Sequence, residues 1–277
     1  MRKSIHLACV FASILLALTA ESLVASELEN IHFGSVAMDT PAVMDKRLTP
    51  LTNYLSQVIK RPVVLTLSPD MASAIKEVSQ NTVELSYLTP VAYIRSRDAG
   101  NTKLIAKTVT NNNASFQLMI VVRDDSPITT VQQLAGKKFA FGDPAALLQR
   151  AVVVNAGMPL ENLGEYRFIG HYDNIVRGVL NRDYDAGILK DTMAFKWRGK
   201  GVRILYSSAH LPPYNITASS KVDDALLEKL KRAFLQLDIN NPEHFKIIKG
   251  LDKKYDGFAP TSDKEYDVVR KLIEPFK

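Results

Sequence analysis

The amino-acid sequence predicts an α/β protein of two similar lobes, each a mostly parallel sheet flanked by helices, joined by two crossing strands. Three observations carry this. Apolar, β-branched runs alternate with segments of helical periodicity along nearly the whole chain, the pattern of sheets connected by helices. The order of elements repeats, with four strands and their intervening helices in residues 31–110 and again in 138–207. One extended strand follows each block, at 116–123 and 214–219, placed to pass from one lobe to the other.

The first strand is the apolar run Ile31 to Met38. Behind it Val43, Leu48, Leu51, Leu55 and Val58 recur at helical spacing. Pro62–Ser68 is a β-branched strand, and a short helix follows from Asp70. Val83–Leu88 is a strand, Thr89–Gly100 a helix ending on a residue suited to a C-cap, and Lys103–Val109 a strand. Ser115–Ser126 reads as one long apolar strand, and Ser126–Gly136 as a short capped helix. The second block then runs strand, helix, strand, helix, strand, helix, strand, beginning at Lys137 and ending at Ser208. Tyr214–Ser220 is the second crossing strand. Residues 222–238 form the clearest amphipathic helix, with Leu226, Leu227, Leu230 and Phe234 near one stripe. His244 falls in a late polar turn, and residues 263–276 form a last helix.

The N-terminus carries Arg2 and Lys3, then an apolar run without charge from Ser4 to Ala20, then the small residues of Val24–Ser26. This is the layout of a secretory signal peptide, cleaved after Ala25 or Ser26, and it implies a periplasmic location. Cys9 is the only cysteine and leaves with that segment, so the mature chain has no thiol chemistry, disulfide or cysteine-ligated metal. The net charge of +6 becomes +5 when two positive charges and one negative charge depart. The charges are interspersed, without the basic block of a nucleic-acid arm.

Enzyme chemistry finds no support. There is no G-x-S-x-G elbow, Walker loop, G-x-G-x-x-G or H-E-x-x-H. The histidines have no metal-ligand spacing, and the pairs Asp124-Asp125 and Asp223-Asp224 read as caps or turns. No nucleophile, general base, metal or cofactor is expected.

Four motifs carry a resemblance. They are VELSYLTPVAYI (83–94), FQLMIVVRDDSPITTVQQLAGKKFAFGDP (116–144), GHYDNIVRGVLNRDYDAG (170–187) and LPPY (211–214). In order and spacing they resemble the phosphate/phosphite/phosphonate-binding (PhnD-like) periplasmic proteins of ABC importers, which have the type II periplasmic binding protein fold. The resemblance implies one lobe from residues 27–118 and 215–277 and another from 119–214, after a signal at 1–26. It also implies a ligand cleft formed by Tyr87, Thr89 and Tyr93 from the first lobe, and by Asp143, the amides of Ala145 and Ala146, His171, Asp173 and Asn174 from the second. Helix starts at Thr89 and His171 support this, because free N–H groups there hold anions. Each residue also has a plainer role open to it: Tyr87 and Tyr93 as core, Asp143 and His171 as caps.

Where the family carries hydroxyl donors after Asp-Pro, this chain has Ala145, Ala146 and Leu147. A tetrahedral oxyanion would lose about three hydrogen bonds, at roughly 1.5–3 kcal/mol each. Met71 and Tyr214 stand where relatives that bind aminoalkyl phosphonates have an aromatic and a carboxylate, so an amino-bearing phosphonate is not expected. Two functions remain open. One is a monomeric solute-binding protein that closes on a small molecule, an oxyanion or a related compound, and delivers it to an ABC permease. The other is a sensory accessory of the same fold that presents its ligand state to a periplasmic sensor kinase or chemoreceptor.

Overall fold

Two sheets share the strands of the chain in an interleaved order. The computed structural model describes residues 30–36 and 40–276. The signal segment, and Ala37 and Met38 at the end of the expected first strand, lie outside the described residues. Strands β1 (Ile31–Val36), β2 (Val63–Ser68), β3 (Leu85–Leu88) and β4 (Lys103–Thr110) alternate with helices α1 (Pro41–Ile59), α2 (Met71–Ser79) and α3 (Pro90–Gly100). The chain then crosses as β5 (Leu118–Arg123) and continues through β6 (Lys138–Phe141), α4 (Leu147–Asn155), β7 (Glu165–Phe168), α5 (Tyr172–Leu180), β8 (Ala186–Lys190), α6 (Asp191–Trp197) and β9 (Val202–Ser207). It returns as β10 (Asn215–Ala218) and ends with α7 (Asp224–Leu235), α8 (Pro242–Leu251), β11 (Tyr255–Ala259) and α9 (Asp267–Ile273).

The first sheet has the order β11-β4-β10-β3-β1-β2 and the second β7-β6-β8-β5-β9. Pairings β1–β2, β1–β3, β6–β7 and β6–β8 are parallel. Strand β10 runs antiparallel between β3 and β4, and β5 antiparallel between β8 and β9. The sheets are therefore mixed, and each crossing strand inserts into the interior of the sheet it joins. A chain leaving one sheet at the carboxyl ends of its strands enters the other from the facing side, so it runs against its new neighbours.

Two elements were not foreseen. Helix α8 replaces the polar turn at His244. Its start was legible, since the Asn241 side chain accepts from the Glu243 N–H and Pro242 occupies the first helical position. Strand β11 carries Asp256 and Gly257, which have low strand preference, and forms at the sheet edge beside β4. The helix expected at 126–136 is a short 3-10 turn, Val131–Leu134, closed by a reciprocal Thr130–Gln133 capping box.

The core of the first sheet includes Phe33, Leu55, Leu85, Ile216 and Phe234. That of the second includes Ile120, Phe139, Val152 and Ile188. Tyr93 of α3 and Val269 of α9 join this second core, so the C-terminal helix packs on α4 as well as α3. One close approach sets up the site. The Arg47 guanidinium donates to the carbonyls of Gly250 (3.2 Å) and Leu251 (2.8 Å), satisfying the end of α8. A Cβ at Gly250 would lie 2.4 Å from the Arg47 carbonyl oxygen, so only glycine permits the contact. The segment that leads to Tyr255 departs from this anchored end.

Candidate functional site

A cavity of about 200 Å³ lies between the two sheets, at the carboxyl ends of β3, β6 and β8. In open α/β sheets ligands bind in this place, because helix starts and loops converge there. Its apolar walls come from Pro90, Val91, Phe116, Leu118, Leu147 and Leu148. Its polar groups are Thr89, Thr108, Gln149, Tyr172, Tyr214 and Tyr255, with one cation, Lys190. No aspartate or glutamate is among its described lining residues.

Of the expected residues, Thr89, Ala145 and Ala146 line this cavity. Thr89 caps α3, its hydroxyl oxygen accepting from the Ala92 N–H at 3.2 Å. Tyr87 stands one layer back. Its hydroxyl lies 2.5 Å from that of Tyr255, and its ring stacks on Tyr214 at 5.1 Å between centroids. It therefore braces two tyrosines that do line the cavity.

Tyr93 lies outside the cavity. Its hydroxyl donates to Asp263 Oδ1 at 2.7 Å, and its ring packs on Tyr266 at 4.6 Å. Asp263 is also paired with Arg97 (3.2 Å) and Arg270 (2.5 Å), so Tyr93 anchors the C-terminal segment to α3. His171, Asp173 and Asn174 are exposed and do not line the cavity either. Successive helix positions diverge by about 100°, so residues at one helix start do not all face one way. Tyr172, which was not singled out, takes the inward position, its hydroxyl 3.5 Å from Gln149 Nε2. Asn174 folds back to donate to the Ile169 carbonyl at 2.9 Å.

The loop after β6 corrects a further expectation. Its amides were to be free for an anion, yet they are bonded within the loop. The Asp143 carboxylate accepts from the Ala145 N–H at 2.7 Å, and the Asp143 carbonyl accepts from Ala146 at 2.9 Å. Leu147 donates to the Ala145 carbonyl at 2.9 Å, across Ala146 at φ −77° and ψ 67°. Those angles define an inverse γ-turn. Asp143 is thus a turn residue, exposed and directed at its own backbone. Gln149 closes the loop, accepting from the Gly142 N–H at 2.8 Å.

Lys190 was also missed. It ends β8 at the N-cap of α6, and its ammonium lies 5.1 Å from the centre of the Phe116 ring, within cation–π range. It makes no ion pair among the described residues. The neighbouring Asp191 carboxylate instead accepts from the N–H groups of Gln117 (2.9 Å) and Thr192 (2.7 Å). Burial pulls the ammonium below the ordinary lysine range, and the charges of Asp191 and Asp252 offset part of this. Burial likewise pushes the Tyr172 phenol up to about 12, and raises Tyr214 and Tyr255 above their ordinary value. These phenols are neutral hydrogen-bond donors at neutral pH. No described helix is long and apolar enough to cross a membrane, and no described cluster of histidine or acidic residues could hold a metal.

A family model described as the periplasmic substrate-binding protein of phosphonate ABC transporters matches residues 33–266. The phosphate-import protein PhnD of Mycolicibacterium smegmatis is 23% identical over 274 residues, covering 89% of this chain and 85% of that protein. XAC2383 from Xanthomonas citri, solved bound to chloride ion, superposes with a TM-score of 0.72 at 20% identity, over 88% of this chain and 95% of its own. PhnD1 from Prochlorococcus marinus, solved in complex with methylphosphonate, gives a TM-score of 0.68 at 18% identity, over 89% and 98%. These structures establish the shared type II periplasmic binding protein fold.

Proposed function

The chain belongs to the periplasmic substrate-binding proteins of phosphonate ABC transporters, a transport family and not an enzyme family, and from that premise we propose that it captures a small tetrahedral oxyanion with an apolar substituent. The observation that carries this is the cavity between the sheets, apolar on most of its walls and supplied with neutral hydroxyl donors and one ammonium. Two of the named relatives are a phosphate-import protein and a protein solved in complex with methylphosphonate, which favours the same head group here. The importer role rests on the transport character of the family and of its named member, and the partner is then an ABC permease.

We take the lobes to be residues 27–118 with 215–277, and 119–214, on the ground that strands of these ranges share a sheet. Closure brings Thr89 and Thr108 from one lobe against Tyr172 and Lys190 from the other. The expected apolar segment at the N-terminus supports export to the periplasm.

Thermal unfolding of the purified protein against phosphate, phosphite, alkylphosphonates, alkylsulfonates and small organic acids tests this reading. A ligand at 100 times its dissociation constant adds about 2.7 kcal/mol, which raises the midpoint by about 5–10 °C at this size. A rise that disappears in Tyr214→Ala places the ligand in this cavity. A rise unaffected by that change, or silence across the panel, overturns the assignment.

A further inference from the structure

We propose that Lys190 reads the charge of the ligand, and that the cavity consequently selects a singly charged anion with a short apolar group over a dianion or a neutral molecule. This rests on the cavity being the ligand site. Three observations converge on it.

The first is what the site no longer offers. The loop amides of Ala145, Ala146 and Leu147, which would otherwise spread a second negative charge over several donors, are bonded within their own turn. Asp143, His171 and Asp173 stand outside the cavity. The second is the state of Lys190. Its ammonium faces the lining with no ion pair among the described residues, held against the Phe116 ring, while the adjacent Asp191 is occupied by two backbone N–H groups. A half-buried ammonium without a partner costs stability, and a bound anion would remove that cost. The third is the balance of the lining. The described lining residues carry one cation and no carboxylate, a balance that suits one negative charge. A dianion would leave a charge uncompensated among Leu118, Leu147 and Leu148. A neutral ligand would leave the ammonium unpaired. The limited volume and apolar walls suit a short alkyl group beside the charged head.

Calorimetric titration of the whole protein at neutral pH tests this, with a series that holds the tetrahedral sulfur head constant and varies its charge. The probes are dimethyl sulfone (neutral), methanesulfonate (one charge) and sulfate (two charges), with methylphosphonate as the phosphorus counterpart. The expected result is tightest binding of the monoanionic head, with sulfate and dimethyl sulfone weaker by about tenfold or more. Lys190→Met and Lys190→Gln should weaken methanesulfonate by about tenfold or more. Their ligand-free melting midpoints should be unchanged or higher, since an unpaired cation has been removed. A lysine with a purely structural role would lower the midpoint instead.

Sulfate binding as tightly as methanesulfonate overturns the charge selection. Methanesulfonate binding equally to wild type and Lys190→Met overturns the role of Lys190. The wild-type series stands alone if neither variant folds. If these probes are silent while another ligand class raises the midpoint through Tyr214, this inference falls and the site assignment stands. If both experiments are silent, both fall.

Discussion

Lys190 and Tyr87 show how single residues divide the work of the cavity. Tyr87 touches no ligand space, yet its hydroxyl fixes Tyr255 and its ring fixes Tyr214. Lys190 faces that space without a direct ion pair among the described residues. A pH dependence follows. Methanesulfonate keeps its charge at all accessible pH, so a change in its affinity reports the protein. The groups around Lys190 are Asp191 on its own helix start, Asp252 and Lys254 on the segment after α8, and the phenols of Tyr172, Tyr214 and Tyr255. The phenols stay neutral because burial raises them above their ordinary value. The folded lysine lies below its ordinary value. Affinity for methanesulfonate should therefore hold near neutrality and fall as pH rises through the lowered lysine pKa. Calorimetry at stepped pH checks this, with Lys190→Met giving a flat profile.

Elements place these residues by their ends rather than their middles. The start of α4 is the clearest case. Ala146 occupies its N-cap and provides no side-chain cap, while the γ-turn at that residue ties up the next amide. Ala146→Ser would supply a hydroxyl both to the helix start and to the cavity. Capping residues exceed alanine by about 0.5–2 kcal/mol, so the midpoint should rise by about 2–4 °C for each kcal/mol gained. Differential scanning calorimetry would register it, and an unchanged midpoint would show that the turn holds the hydroxyl away from the helix amides. Strand β11 is the opposite case. Its Asp256 and Gly257 disguise a strand, so Tyr255 could not be assigned to the site from the sequence. Only pairing with β4 brings it there, at a distance along the chain set by α8 and its anchored end.

Across the molecule, buried phenols form a common feature of both sheets and of the cavity between them. Burial raises Tyr87, Tyr93, Tyr172, Tyr214, Tyr255 and Tyr266 above their ordinary pKa. In the unfolded chain they ionise near pH 10, about the free tyrosine value. Below that pH both states hold these protons, and the contribution to stability is fully present. Above it the unfolded state binds fewer protons than the folded state, so stability falls with rising pH. The protein should resist mild alkali and then unfold cooperatively. The share of tyrosinate absorbance that belongs to these six buried rings should appear in one step with the loss of far-ultraviolet circular dichroism, separately from the signal of exposed rings such as Tyr166. Ionisation of all the tyrosines well before unfolding would contradict the burial of these six rings. The C-terminal tie also spans the molecule: Tyr93, Arg97 and Arg270 converge on Asp263 while α9 packs on α4.

The sequence carries the alternation of strands and helices, the duplicated order of elements, the two crossing strands and the motifs that resemble a transport family. These follow from local periodicity and short motifs, which neighbouring residues encode. It also indicated that Ala145, Ala146 and Leu147 weaken the expected anion grip. Only the fold shows which tyrosines face the cavity, that the loop amides are already bonded, and that Lys190 stands there with no ion pair among the described residues. Those facts depend on side-chain direction at helix starts and on strands far apart in the chain, β8 and β11 among them, meeting at one end of two sheets. Local sequence carries no record of such meetings, because packing between distant segments is what creates them.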